Sequence, residues 1–171
     1  DGAWQFARPV QAMLFAGTDT NANANPNEIY FGGLVNGLVM SGNFINSTAA
    51  ARHAIQFAGT ASNKGIVITG NFIYQSAASG TGRAIWFSGA GGDGIVVRGN
   101  FINAYAASSA TAIDPGGFVF TNSVFSGNSV NGAGTNFGTF AAGSGVSTPS
   151  GSFTASGTGF TTAPTATAYY A

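Results

Sequence analysis

Apolar residues alternate with small polar ones in short runs along this chain, and one run returns at a fixed interval. Residues 65–74 read Gly-Ile-Val-Ile-Thr-Gly-Asn-Phe-Ile-Tyr, so Ile66 and Ile68 point one way and Val67 and Thr69 the other. That is the period of two of a β-strand. Gly70 and Asn71 then mark a turn, because both tolerate a positive φ, and Phe72-Ile73-Tyr74 opens a second strand. The same run stands at residues 37–46 and 94–103, and in weaker form at 122–131. Its Gly-Asn pairs begin at Gly42, Gly70, Gly99 and Gly127, in steps of 28, 29 and 28 residues. Another apolar run precedes each copy, at residues 28–31, 54–57, 84–87 and 112–115. No segment shows the 3.6-residue period of a helix longer than a turn or two.

A repeat of this length, with three short strands in each unit, predicts coils stacked along an axis. Like residues then lie above one another, roughly 4.8 Å apart. Asn43, Asn71, Asn100 and Asn128 would form a ladder at one corner, their amides bonding to the coils on either side. The rungs resemble those of the right-handed parallel β-helix of pectate-lyase-like proteins and phage tailspikes, which often read Ile-x-Ile-x-Gly-Asn-x-Ile. The resemblance covers about residues 28–131. It implies an all-β, right-handed parallel β-helix of about four to five rungs. It says little about activity, since this fold hosts many.

Four segments are expected. Residues 1–27 form an opening rung and cap, with the polar stretch 18–27 as a loop. Residues 28–140 form the β-helix, with Phe137 and Phe140 in a last partial rung. In the fourth rung residues 114–117, Asp-Pro-Gly-Gly, break a strand and Ser123 takes the place of a core Ile. Residues 141–150 read as a linker and 151–171 as a short C-terminal β segment. The order Gly-Ser-Phe-Thr, Gly-Phe-Thr-Thr-Ala-Pro-Thr and Tyr in 151–171 resembles the start of a small β-domain near the C-termini of phage tail-fibre and tailspike proteins. In that family further strands follow, which suggests a truncated domain here. A start at Asp1, with no leader, suggests a fragment or processed product.

Composition sharpens this picture. Only 6% of residues are charged and the net charge is zero. A nucleic-acid partner would need a basic footprint, and a membrane span about 20 apolar residues; the sequence shows neither, so no nucleic-acid or membrane partner is expected. With so few charges a free-standing column would be poorly soluble. If Ile66 and Ile68 face inward, then Val39, Val67, Val96 and Val124 face outward, as do Phe44, Phe72 and Phe101. Two outward apolar stripes mark an interface. Copies of the chain packed side by side would cover them under closed symmetry; the tailspike resemblance implies a homotrimer.

The candidate chemistry is sparse. Tyr30, Gln56, Trp86 and Asp114 fall on one stripe in the rung alignment, and an aromatic beside an acid suits a sugar. Glu28 lies three rungs from Asp114, roughly 15 Å, beyond the reach of paired glycosidase carboxylates. Asp93 sits in a loop and would approach only if that loop folds back; a pair assembled between chains is the other route to an enzyme. The Gly-x-Gly-x-x-Gly at residues 89–94 precedes a strand rather than a helix and reads as a turn. His53, the sole histidine, reads as a loop residue. No metal site is expected from one His and no Cys, and no cofactor. The resulting expectation is a virion surface protein: a phage tail-fibre or tailspike tip touching host surface polysaccharide. The alternatives are a capsid decoration protein clamped to other virion proteins and a polysaccharide depolymerase.

Overall fold

A computed structural model describes residues 4–22, 27–47, 53–75, 81–104, 111–132 and 135–147. Every described element is a strand. The first coil holds β1 (Trp4–Phe6), β2 (Val10–Ala16) and β3 (Asp19–Ala22), and the second β4 (Asn27–Phe31), β5 (Val35–Ser41) and β6 (Phe44–Ser47). The third holds β7 (His53–Phe57), β8 (Asn63–Thr69) and β9 (Phe72–Gln75). The fourth comprises β10 (Arg83–Phe87), β11 (Gly92–Asp93), β12 (Val96–Arg98) and β13 (Phe101–Ala104). The fifth comprises β14 (Thr111–Asp114), β15 (Phe120–Thr121), β16 (Ser123–Ser126) and β17 (Ser129–Asn131). A partial coil, β18 (Thr135–Phe137) and β19 (Val146–Ser147), ends the described chain.

Corresponding strands pair in parallel, giving three sheets. One runs β1-β4-β7-β10-β14-β18, and another β3-β6-β9-β13-β17. The third runs from β2 through β5 and β8 to the split strands and β19. The result is an all-β parallel solenoid. The register follows the repeat: Ile45↔Ile73↔Ile102↔Val130 in one sheet and Ile29↔Ile55↔Ile85↔Ile113 in another.

Inward alternation fills the column with matched apolar layers. Phe6, Phe31, Phe57 and Phe87 stack nearly face to face, with ring centroids 4.9, 4.9 and 4.7 Å apart. The spacing matches the distance between strands, so each ring lies flat on the next at no cost in register. In the fifth coil Pro115 stands where this stack would continue, and Ser123 where Leu38, Ile66 and Ile95 stand. Phe120 and Phe125 fill that space edge-on, at 5.1 and 6.3 Å from Phe87. Ser123 is buried with its hydroxyl satisfied: it accepts from the Ile95 amide and donates to the Thr121 carbonyl. An apolar position thus became polar without an orphaned group.

Each middle strand carries a left-handed residue at a fixed place: Ala12, Gly37, Gly65, Gly94 and Asn122, with φ between 48° and 76°. Glycine meets this requirement freely and Asn at small cost, whereas Ala does not.

Two expectations need correction. The polar stretch 18–27 is not wholly a loop, because β3 pairs with β6 through Asp19↔Phe44 to Ala22↔Ser47. Pairing with a formed neighbour overrides the poor strand propensity of Asp and Asn. The first coil is therefore complete. The solenoid also continues past Phe140, since Val146 is buried and β19 pairs with β16. The segment 151–171 lies outside the described residues.

Candidate functional site

The corner after each middle strand is built by the asparagines. Asn43, Asn71, Asn100 and Asn128 are all buried and their amides line up along one edge. The Oδ1 atoms of Asn71, Asn100 and Asn128 each accept twice from the coil before. Asn71 Oδ1 takes the Asn43 backbone N–H at 3.1 Å and the Asn43 Nδ2 at 2.8 Å. Asn100 Oδ1 takes the same groups of Asn71, and Asn128 Oδ1 those of Asn100. Each Nδ2 also donates to a backbone carbonyl of the preceding coil: Phe15, Met40, Ile68 and Val97 in turn. At the open end Thr18 N–H donates to Asn43 Oδ1. A second buried asparagine, Asn63, spans three coils, accepting from Val35 N–H and donating to the Gly91 carbonyl. Sequence reading missed it, since it is not repeated.

Two apolar columns flank that corner on the outside. Phe44, Phe72 and Phe101 are 43%, 37% and 42% exposed, and their rings stack at 5.1 and 5.0 Å. Val39 is exposed and Val67, Val96 and Val124 are half-buried, in one register column. Leu14, 68% exposed and level with Val39, extends this column into the first coil. Between the two columns run Ser41, Thr69, Arg98 and Ser126.

The opposite sheet carries the polar aromatic stripe. Tyr30, Gln56, Trp86 and Asp114 are consecutive register partners on β4, β7, β10 and β14, and all four are half-buried. Tyr30 packs against Gly32, where an added Cβ would come within 2.9 Å of its ring. Gln56 donates to the Ser88 hydroxyl at 2.7 Å.

Two residues outside the predicted stripe join it. The Arg83 guanidinium sits over the Trp86 indole, 4.3 Å from its centroid. Its Nε also donates to Asp114 Oδ2 in an ion pair across adjacent coils. His53 is not a loop residue: it opens β7, and its ring lies 4.4 Å from that of Trp86. The strand explains why. Ala54 and Ile55 are both buried, so the alternation slips by one and places His53 with Gln56 on the outside. Burial and the Arg83 charge lower the His53 pKa to about 4, against a smaller opposing effect of Asp114. The imidazole is therefore neutral at ordinary pH.

The carboxylates do not form a catalytic pair among the described residues. Asp114 has both oxygens engaged, one by Arg83 and the other by the Gly116 amide at 2.8 Å. Glu28 is buried beneath the surface of β4, two strands removed from β14's neighbour β10. Asp93 lies in another sheet and is exposed, and hydrogen bonds from Thr121 and Asn122 lower its pKa. No group of three or more acidic, His or Cys side chains that could hold a metal occurs among the described residues. The glycines of residues 89–94 serve packing: a Cβ on Gly89 would come within 2.3 Å of the Ala58 carbonyl oxygen. No described helix is long and apolar enough to cross a membrane.

These features define a class, a parallel β-solenoid with one apolar outer corner and one charge-balanced aromatic face. No family model, curated protein or solved structure matches the chain.

Proposed function

We propose that this chain is part of a phage tail-fibre or tailspike protein on the virion surface, assembled as a homotrimer and touching host surface polysaccharide. The observation that carries the reading is the unequal outside of the column. A stacked Phe ladder and a Leu/Val stripe flank one corner, which suits burial against further copies. The Tyr30–Gln56–Trp86–Asp114 stripe lies on a different sheet, so assembly through the corner leaves it open to a ligand. Tyr30 and Trp86 set among the amide of Gln56 and the hydroxyl of Ser88 give the mix of apolar surface and hydrogen-bonding groups that a sugar needs. The rung resemblance and the sequence of residues 151–171 supply the link to phage.

The occupied oxygens of Asp114 weigh against the depolymerase. The decoration protein shares the same solenoid physics and is separated by experiment. Sedimentation of the purified chain should give a trimer, and it should bind bacterial surface polysaccharides on an array without lowering their viscosity. A monodisperse monomer would remove the assembly reading, and silence on every polysaccharide would remove the adhesin. Co-purification with empty heads would favour decoration.

A further inference from the structure

The charges of the aromatic face cancel. The described strands of that sheet contain four ionisable side chains besides Tyr30: Glu28, His53, Arg83 and Asp114. Glu28 is 2% exposed and offers no charge to the surface. Arg83 and Asp114 neutralise one another across adjacent coils, and Arg83 is further held by the Trp86 indole. Asp114 is fixed by the Gly116 amide, so the pair is braced on both sides. His53, packed against Trp86, carries no charge near neutral pH. Beside that mutually neutralised pair, the half-buried groups of the face are neutral: Tyr30, Gln56, Trp86 and Ser88.

We propose that this face selects uncharged polysaccharide and rejects chains bearing uronic or sialic acids or phosphate, because the one guanidinium on its described strands is already committed to Asp114. The selection rests on the adhesin reading above. An acidic sugar would have to compete with a fixed carboxylate for Arg83, and would meet that carboxylate as a like charge. A neutral sugar needs only apolar surface and hydrogen-bonding groups, which Tyr30, Gln56 and Ser88 supply without breaking the pair.

The test is an array of purified bacterial polysaccharides, neutral and acidic, probed with the whole chain at low and high salt. Binding confined to neutral polysaccharides and insensitive to salt is the expected result. Preference for acidic polysaccharides, lost in high salt, would overturn the selection while leaving the adhesin reading intact. No binding to either class would overturn both. Asp114→Asn frees the guanidinium and should raise binding to acidic polysaccharide by about tenfold at low salt; no gain, with the fold intact by circular dichroism, counts against the selection. If Asp114→Asn does not fold, Arg83→Gln serves instead. It leaves an uncompensated carboxylate and should weaken acidic binding further, and a gain there would refute the charge argument.

Discussion

Replacing Asn71 by Ala tests what holds the corner of the solenoid. Four hydrogen bonds end on this side chain: Asn43 N and Asn43 Nδ2 onto Oδ1, and Nδ2 onto the Met40 carbonyl and Asn100 Oδ1. Asn43 Nδ2 keeps the Phe15 carbonyl, and Asn100 Oδ1 keeps the Asn71 backbone N–H. The Asn43 amide keeps no side-chain partner and is buried. Such an orphaned donor costs about 1–3 kcal/mol, and each of the other three bonds is worth about 1 kcal/mol net. The sum is about 4–6 kcal/mol, reduced to about 3–5 kcal/mol if the cavity admits one water. That is a large share of the roughly 5–15 kcal/mol that hold an ordinary domain together. Urea unfolding followed by circular dichroism should show the midpoint falling steeply with the slope unchanged. The exposed Lys64, replaced by Ala, serves as the control and should leave stability within about 1 kcal/mol. A loss below about 1 kcal/mol for Asn71→Ala would refute the claim that the ladder carries the corner.

Three further outcomes are expected. Phe72→Ser and Phe101→Ser together should shift sedimentation from trimer to monomer, and an unchanged trimer would place the interface elsewhere. Ala12→Gly should stabilise the chain by up to about 1 kcal/mol, because Ala12 holds a left-handed φ of 50° where the next three coils have glycine; thermal melts read this, and a lowered midpoint would sink the strain argument. Acid should destabilise the fold through His53, whose folded pKa of about 4 lies below the unfolded value near 6.5. Between those values the unfolded chain binds the extra proton, so stability is full above pH 6.5 and falls as pH drops towards 4. His53→Phe should flatten that part of a melting-temperature profile, and an identical profile would show that His53 is not the group.

Legibility followed repetition. The Gly-Asn period gave the axis, and the phase of Ile66 and Ile68 gave the inside, because a slip of one residue would have turned the whole apolar set outward. The columns of Val39 and Phe44 followed from the same phase. His53 was illegible because its strand breaks the alternation at Ala54 and Ile55. Arg83 was passed over for a related reason: it lies three residues before Trp86, a spacing that simple alternation assigns to opposite faces, yet it covers the indole. Asn63 has no counterpart one repeat away, so period gave no hint of its role. The strand Asp19–Ala22 was hidden by its composition, and only its partner β6 makes it a strand.

The asparagine edge also has a sense. Every Nδ2 donates to a carbonyl of the preceding coil, and every Oδ1 faces amide hydrogens of that coil. No amide in the row can be turned over without setting oxygen against oxygen. The dipoles therefore run head to tail and reinforce one another, as in a proton-ordered wire. The two tips of such a wire are unlike: the oxygen tip is stoppered by Thr18 N–H, while the tip at Asn128 points hydrogen outward. Any further coil grafted beyond Asn128 would have to offer an oxygen there.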